Sequence, residues 1–257
     1  MPDNAVLQNK LAWEHQVYEW RVNQGTPQFI VDEVVNGQRK HLRYHANYFN
    51  KVEGKRIASV CGSNGLRALE LALLKAEATV FDISEPQKKY ALELAEAAGV
   101  KIDYEVGNFC EADITKYGKY FDYAYAEGGI LHYFHDLHKF FTTINKILKK
   151  SGTLILCDFH PFTKIAPANF NLSESHELSD IDYFDSSVQQ EAVVSKQDFP
   201  ENEQDAFPSV LVRRYTLSEI INAVIQAGFN IREFNEHPGW VNQKRPGEFT
   251  ITARKRG

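Results

Sequence analysis

The chain has 257 residues, of which 43% are hydrophobic and 25% charged, and its formal net charge is −5. This is an ordinary globular composition, which excludes a collagen, a coiled coil and a largely disordered chain. The length predicts one large domain, or one domain with an elaboration. The slight excess of acids argues against a protein that coats nucleic acid, because such a surface needs clustered cations.

The cysteines and the apolar runs indicate the compartment. Three cysteines, odd in number and far apart, argue against a disulfide framework or a zinc knuckle and favour a reducing environment. The first residues are polar and lack an apolar signal core, and no apolar run approaches the ~20 residues that span a bilayer. We therefore predict a cytoplasmic protein that binds neither nucleic acid nor a membrane.

Residues 1–53 are predicted to form an N-terminal helical region. Gly25-Thr26-Pro27 ends a first helix, and a second helical stretch is predicted over about 28–50. The apolar pattern of the first helix indicates that it docks on another element through Leu7, Leu11, Trp13, Val17, Tyr18 and Trp20.

Residues 54–158 alternate between short apolar runs and helical patterns. The clearest helix starts at Ser84, an N-cap that forms a capping box with Gln87, and stops at Gly99. This rhythm is typical of right-handed βαβ units, which build a parallel sheet with helices on both faces. Strands are predicted at 57–61, 78–81, 101–106, 120–126 and 153–158.

Residues 159–215 interrupt the rhythm with four prolines, little periodicity, and 10 acids against 4 bases. A segment this long between regular elements is usually a functional cover or a disordered loop. Order resumes over 216–257, where a helix follows a capping box at Thr216. Two closing strands, 229–234 and 248–253, follow it, and their direct connection predicts an antiparallel pair.

A loop of small residues, Gly62-Ser63-Asn64-Gly65, follows the first strand and precedes a helix. Small residues there let backbone amides approach a ligand at the helix N-terminus. Asp82 ends the next strand, 82 − 62 = 20 residues after Gly62. A carboxylate in this position can accept hydrogen bonds from ribose hydroxyls, so the two features together predict a nucleoside site.

The third and fourth strands end in residues that suit the same site. Gly107-Asn108-Phe109 offers a side-chain amide for an adenine edge and a ring that can pack on the base. Glu127-Gly128-Gly129 then offers bare backbone beside which a cofactor tail could lie.

In this order the motifs resemble those of the class I S-adenosylmethionine (SAM)-dependent methyltransferases, of the bacterial small-molecule type. The resemblance covers about 54–158 and, more weakly, 216–254, and it includes Leu148-Lys149-Lys150-Ser151-Gly152, similar to the family's Leu-Lys-Pro-Gly-Gly. It implies SAM as cofactor and an α/β, Rossmann-like, doubly wound sheet. That sheet would have seven mostly parallel strands with the last antiparallel, N-terminal helices and an inserted cover. The whole chain, 1–257, would then be a single methyltransferase-like domain.

The same resemblance implies the roles of individual residues. Asp82 would bind the ribose, Asn108 the adenine, and the loop Gly62–Gly65 would lie under the methionine portion. The full predicted cofactor site comprises Gly62, Ser63, Asn64, Gly65, Asp82, Ile83, Asn108, Phe109, Glu127 and Gly128.

The chain departs from the family in its first motif. The family's Asp/Glu-x-Gly-x-Gly-x-Gly corresponds here to Ser59, Cys61, Ser63 and Gly65, so a carboxylate and two glycines are replaced. Two alternatives to a methyltransferase therefore stay open. One is a non-catalytic SAM-binding protein. The other is an NAD(P)-dependent oxidoreductase, although its Gly-x-Gly-x-x-Gly fingerprint is only partly present.

Methyl transfer is an in-line displacement, which needs a base only when the acceptor must lose a proton. His132, soon after Gly128-Gly129, and His160, after the fifth strand, are the candidate bases. The alternative for His132 is a hydrogen-bonded histidine in a loop that starts a helix. His132, His135 and His138 would spread over about 120° of a helix, too wide for one metal ion, so no metal is predicted.

We expect SAM-dependent methyl transfer to a small-molecule acceptor, carried out by a monomer or a homodimer. The excess of acids in 159–215 disfavours RNA or DNA as the acceptor.

Overall fold

The computed structural model describes residues 3–37, 39–165, 182–193, 196 and 199–257. A seven-stranded sheet forms its centre. The strands, with those of a separate hairpin included, are β1 (Arg56–Val60), β2 (Glu77–Asp82), β3 (Ile102–Val106), β4 (Phe121–Glu127), β5 (Leu148–Phe159), β6 (Val188–Ala192), β7 (Ser209–Arg213), β8 (Phe229–Pro238) and β9 (Pro246–Lys255).

The order of the strands in the main sheet is β3-β2-β1-β4-β5-β9-β8. Strands β1 to β5 pair in parallel, whereas β9 runs antiparallel to both of its neighbours, β5 and β8. This confirms the predicted mostly parallel sheet with an antiparallel last strand. The chain leaves β1 on one side for β2 and returns on the other side for β4, and such a switch point is where open α/β sheets bind ligands.

Helices cover both faces of the sheet, as the strand–helix rhythm predicts. On one face α7 and α10 bury residues such as Phe140, Ile144 and Val224. On the other face α3, α4 and α5 bury Val34, Leu69 and Leu94 among others. The helices are α1 (Asp3–Glu14), α2 (Val17–Asn23), α3 (Pro27–Asn36), α4 (Leu66–Leu73), α5 (Glu85–Ala97), α6 (Ile114–Tyr117), α7 (Leu137–Ile147), α8 (Phe162–Ile165), α9 (Glu201–Gln204) and α10 (Leu217–Gln226).

The N-terminal region differs from the prediction. Gln16 has a left-handed φ of 49° and splits the first helix into α1 and α2, and the stretch 28–50 divides into α3 and a 3₁₀ helix, Arg43–Phe49. Leu7 and Leu11 are 54% and 55% exposed, so the predicted docking face is wrong for these two residues. The buried face of α1 instead includes Ala5, Asn9 and Ala12.

A polar residue, Asn9, determines which face of α1 is buried. Asn9 Nδ2 donates to Leu211 O at 3.0 Å, and Leu211 N donates to Asn9 Oδ1 at 2.7 Å, so the side-chain amide pairs with β7 as a strand residue would. Ala12 packs nearby on Val210 and Val212. These contacts join α1 to a part of the chain about 200 residues away, which no local pattern reveals.

The insertion 159–215 holds more regular structure than its sequence suggests. In its described part, β6 and β7 form an antiparallel hairpin, with α8 before it and α9 between its strands. The alternation of buried Val210 and Val212 is the period-two signal that the prolines and acids obscured. Residues 166–181, 194, 195, 197 and 198 of the predicted cover lie outside the described residues.

None of the helices in the described ranges has the length and apolarity needed to cross a membrane.

Gly65, the N-cap of α4, combines a left-handed backbone with a tight contact, and this generates a prediction. Its φ is +72°, and a Cβ there would lie 2.7 Å from Ala91 Cβ. Gly54 has a similar φ of +68° but open space around it. Left-handed backbone costs an L-residue roughly 1–2 kcal/mol, and overpacking adds about 1–3 kcal/mol. We therefore expect Gly65→Ala to lose about 2–4 kcal/mol of unfolding free energy in urea, and Gly54→Ala about 1 kcal/mol.

If the two substitutions lower the unfolding free energy by the same amount, the left-handed backbone alone explains the loss. The close contact between Gly65 and α5 would then make no contribution.

Candidate functional site

A cavity of about 280 Å³ lies at the carboxyl edge of the sheet, at the switch point between β1 and β4. The loops after β1, β2, β3 and β4 form its floor and walls, and α1 and α2 contribute its roof. Its lining comprises Val6, Asn9, Trp13, Arg21, Cys61, Ser63, Arg67, Asp82, Ile83, Ser84, Gln87, Gly107, Asn108, Phe109, Glu127, Gly128, Gly129, Ile130, Tyr133 and Phe134.

Most of the residues predicted for the cofactor reach this cavity. Those that line it are Ser63, Asp82, Ile83, Asn108, Phe109, Glu127 and Gly128. Gly62, Asn64 and Gly65 shape the loop without lining the cavity. Arg67 and Tyr133 were missed, because neither carries a motif, and Trp13 was predicted as a docking residue of the first helix but not as part of the cofactor site.

The loop after β1 keeps the backbone of a glycine-rich turn although two glycines are replaced. Cys61, Ser63 and Gly65 all have left-handed φ values, of 53°, 48° and 72°. These are the three positions where the resemblance leads one to expect glycine. The non-glycine residues cost roughly 1–2 kcal/mol each in this conformation, so the rest of the structure must hold them there.

Close packing explains the glycine between them. A Cβ on Gly62 would lie 2.6 Å from Ser59 Oγ and 2.8 Å from Val80 Cγ1. A glycine is therefore needed at position 62, where the loop passes over β1 and β2. The left-handed backbone of its neighbours, Cys61 and Ser63, forms the turn.

Hydrogen bonds hold the backbone of Ser63 at both its N–H and its carbonyl. Ser63 N donates to Asp82 Oδ2 at 2.9 Å, and Tyr104 OH donates to Ser63 O at 2.7 Å. Asp82 also accepts from Ser84 N at 3.1 Å. Burial raises the pKa of Asp82, and these backbone N–H groups oppose the rise. Tyr104 is a further residue that the sequence analysis missed, because a tyrosine inside a strand is usually a packing residue.

The capping box predicted at the start of α5 is only half formed. Ser84 Oγ accepts from Gln87 N at 3.2 Å, as expected. The return hydrogen bond from Ser84 N goes to Asp82 instead of to the Gln87 side chain. The physical reason is competition, because a carboxylate two residues away is a stronger acceptor than an amide.

Glu127, a buried charged residue, lines the cavity at the end of β4. Glu127 forms ion pairs with Arg67 and, at 3.1 Å, with Arg43, which in turn holds Glu248 at 3.0 Å. Burial raises the pKa of Glu127, while the two arginines oppose the rise. Ser59, where the family has its carboxylate, is only 2% exposed, sits beneath Gly62 and does not line the cavity. Glu127 is thus the carboxylate available at this end.

The side chains of Asn108 and Phe109 already make contacts within the protein. Asn108 Oδ1 accepts from Cys110 N at 3.1 Å, and its Nδ2 donates to Glu111 at 3.2 Å. The Phe109 ring packs edge-on against Phe81 at 5.5 Å between centroids. The adenine contact of Asn108 stays a prediction.

The two candidate bases lie elsewhere. His132 and His160 line a smaller pocket of about 40 Å³, with Arg214, and neither lines the main cavity. Burial and Arg214 lower the pKa of His132 to about 3. His160 Nδ1 accepts from Phe162 N at 3.0 Å. The Phe159 ring packs against Gly129 between the two spaces, so the catalytic roles of both histidines stay predictions.

The histidine series does not form one helical face. His132 lies in a 3₁₀ turn and His138 in α7, whose N-cap is Asp136, as predicted. Within the described ranges, three potential metal ligands, Glu127, Cys157 and Glu248, lie within 4.8 Å of one another. Arg43 already bridges the two carboxylates with its positive charge.

Asp158 fixes the segment that follows Gly128-Gly129. Its Oδ2 accepts from Ile130 N at 2.8 Å and Leu131 N at 2.9 Å, and its Oδ1 accepts from Phe159 N. The sequence placed this aspartate at the edge of the sheet but gave no sign that it holds the backbone.

Residues 59–156 match the family model described as a methyltransferase domain. Over these residues, 98 of the chain's 257, the chain is similar to methyltransferase domains. Three solved structures of SAM-dependent methyltransferases share this fold. The one from Mesorhizobium loti is 21% identical, with a TM-score of 0.63 over 82% of this chain and 95% of that one. The one from Clostridium acetobutylicum is 14% identical, with a TM-score of 0.61 over 89% and 97%.

The third, from Methanosarcina mazei, is 17% identical, with a TM-score of 0.59 over 83% of this chain and 98% of that one. No curated protein matches the sequence. The cavity lies at the carboxyl ends of β1 and β4, and most of its lining falls within the matched residues, whereas Val6, Asn9, Trp13 and Arg21 lie outside them.

Asp158 generates a prediction about pH. Burial raises its pKa from 3.8 to about 6, although three backbone N–H groups oppose the rise. The folded state then binds the proton more tightly than the unfolded state. Its contribution to stability is present below about pH 4 and is lost as the pH rises through about 6, amounting to about 3 kcal/mol. Asp158→Asn should lack this loss in urea unfolding measured across that window.

Asp113 is a matched control, since it also accepts backbone N–H groups but is exposed and has a lowered pKa. Its contribution is lost as the pH falls, so Asp113→Asn should change the slope in the opposite direction. Parallel curves for wild type and Asp158→Asn would contradict the prediction.

Proposed function

We propose that the protein binds SAM in the cavity between β1 and β4 and transfers its methyl group to a small-molecule acceptor. The observation that carries the proposal is the distribution of charge along the cavity. Asp82 lies at the end of β2 and Glu127, paired with Arg67, at the end of β4, and β1 lies between these two strands. SAM has matching features, with ribose hydroxyls on one side of its sulfur and an amino acid on the other. When bound, it supplies an electrophilic methyl group on a positively charged sulfur.

Asp82 is the proposed ribose ligand. Its two oxygens each accept one backbone hydrogen bond, from Ser63 and from Ser84. A carboxylate has about four acceptor sites, so two remain for ribose hydroxyls. The same hydrogen bonds fix the carboxylate in position, which reduces the entropy lost on binding.

Glu127 and Arg67 are the proposed ligands of the methionine tail. Their charges complement an ammonium and a carboxylate, respectively. Glu127 also pairs with Arg43, which in turn pairs with Glu248, so the four residues form a chain of ion pairs, Arg67–Glu127–Arg43–Glu248. Glu127 would thus do what the family's carboxylate does at the position of Ser59. Trp13 and Tyr133 also line the cavity, and aromatic faces attract a cation such as the sulfonium.

The acceptor is proposed to be small because the cavity is roofed by α1, which is tied to the hairpin of the insertion. We propose 159–215 as its cover, and the excess of acids there disfavours a nucleic acid. His132 and His160 can contact an acceptor only if it reaches the smaller pocket beyond Phe159. With a pKa near 3, His132 is neutral at neutral pH and suits hydrogen bonding better than proton removal.

The oxidoreductase alternative is disfavoured by the loop amides. A dinucleotide needs free N–H groups for its pyrophosphate. Here Gly62 N donates to Phe81 O, Ser63 N to Asp82, and Gly65 N to Gly62 O. The non-catalytic alternative rested on the replaced carboxylate at Ser59 and on the altered glycines. Glu127 offers a carboxylate in the cavity, and Cys61 and Ser63 keep the left-handed backbone of the turn, so both grounds are weakened.

Calorimetric titration with SAM, S-adenosylhomocysteine and NAD tests the proposal. We expect the first two to bind, and Asp82→Ala to weaken SAM binding at least tenfold, or about 1.4 kcal/mol. Tyr104→Phe is the control, since it loosens the same loop at Ser63 but keeps the carboxylate, and it should cost less. Tight NAD binding without a response to SAM would overturn the function. An equal loss in both variants would reduce Asp82 to a loop support.

The methionine tail gives a second prediction. 5′-Methylthioadenosine has the nucleoside of S-adenosylhomocysteine but no amino acid. Arg67→Met should weaken binding of S-adenosylhomocysteine about tenfold and leave binding of 5′-methylthioadenosine unchanged. Glu127 stays paired with Arg43 in this variant, which limits the damage to the fold. An equal loss for both ligands would show that Arg67 acts on the shape of the cavity rather than on the tail.

A further inference from the structure

The side chain of Gln87 is a buried amide without a hydrogen-bond partner. It is 1% exposed, and across the described part of the chain neither its Nε2 nor its Oε1 has a partner. It nevertheless lines the main cavity, on the first turn of α5, close in sequence to Asp82, Ile83 and Ser84, which line it too.

Such a group calls for an explanation, because burying an unpaired amide costs free energy and most buried polar groups in proteins are paired. The usual local partner has been taken. In a complete capping box the Gln87 side chain would accept from Ser84 N, but that N–H donates to Asp82. The carboxylate that we propose to bind ribose therefore releases the amide that stands beside it.

We propose that Gln87 is a ligand for the adenosine half of the bound cofactor. The amide offers a donor and an acceptor, which matches the hydroxyls of the ribose and the donor–acceptor edges of the base. The inference rests on the proposed function, since it needs an adenosine-containing ligand in this cavity. It assigns Gln87 a binding role in which the cost of an unpaired amide in the free protein is recovered when the ligand arrives.

The test uses opposite effects on stability and on binding. Gln87→Met keeps the length of the side chain and removes its hydrogen bonds. Because the amide has no partner in the free protein, the melting temperature without ligand should rise, by about 2–4 °C. The affinity for S-adenosylhomocysteine should fall about tenfold. A residue with a merely structural role cannot give both results.

Asn9→Leu is the matched control for stability. Asn9 is also a buried amide that lines the cavity, but it is paired on both atoms with Leu211. Its replacement leaves the backbone groups of Leu211 without partners, so the melting temperature should fall rather than rise.

A second ligand locates the contact. If Gln87 binds adenosine, Gln87→Met should weaken 5′-methylthioadenosine and S-adenosylhomocysteine by the same factor, unlike Arg67→Met. A loss confined to S-adenosylhomocysteine would overturn the assignment to adenosine. Equal affinity in wild type and Gln87→Met, or a melting temperature that falls together with affinity, would overturn the inference and leave the proposed function standing. Failure of the wild type to bind either ligand would end both.

Discussion

The hydrogen bonds to the backbone N–H and carbonyl of Ser63 hold the loops together at the carboxyl edge of the sheet. Asp82 from β2 accepts the N–H of Ser63 and Tyr104 from β3 donates to its carbonyl, so the loop after β1 and two further strands meet at one residue. The backbone at Cys61 and Ser63 is left-handed, which side chains disfavour. These two contacts keep a turn that would otherwise relax. A family pattern written in glycines is thus reproduced by other residues, because what matters is the path of the backbone and not the amino acid that follows it.

The free protein carries several groups whose environments are unfavourable for folding. Asp158 is a carboxylate buried among backbone amides, Glu127 is a buried carboxylate between arginines, and Gln87 is a buried amide with no partner in the described structure. All three stand at or beside the same cavity. A protein selected for stability alone would replace them with apolar residues. Their presence together is what a site that binds a polar, charged ligand requires, and it supports the proposed site independently of any motif.

How far the sequence alone reaches depends on the range of the interactions. The sheet and its helices follow from local periodicity, and Asp82 follows from its place at a strand end, so both were predictable. The rotation of α1 was not, because it depends on Asn9 pairing with Leu211, and neither residue signals the other. The free amide of Gln87 was missed for a related reason. Its local motif, the capping box of Ser84 and Gln87, is only half formed, because a third group, Asp82, accepts the N–H that the Gln87 side chain would otherwise accept. The candidate histidines were chosen by their places after the fourth and fifth strands, yet both line the smaller pocket and neither lines the main cavity.

The roof of the cavity comes from the two parts of the chain that the βαβ rhythm does not include. Asn9 and Trp13 of α1 lie over the cavity, and α1 is held in place by β7 of the insertion. Trp13 also packs on Tyr133, which follows β4, with 5.7 Å between ring centroids. The helix therefore contacts both the floor of the cavity and the insertion. Because one helix serves both, a change in the hairpin can be transmitted to the cavity without touching it. The insertion is then more than a surface addition, since its β7 strand holds the helix that roofs the proposed cofactor site.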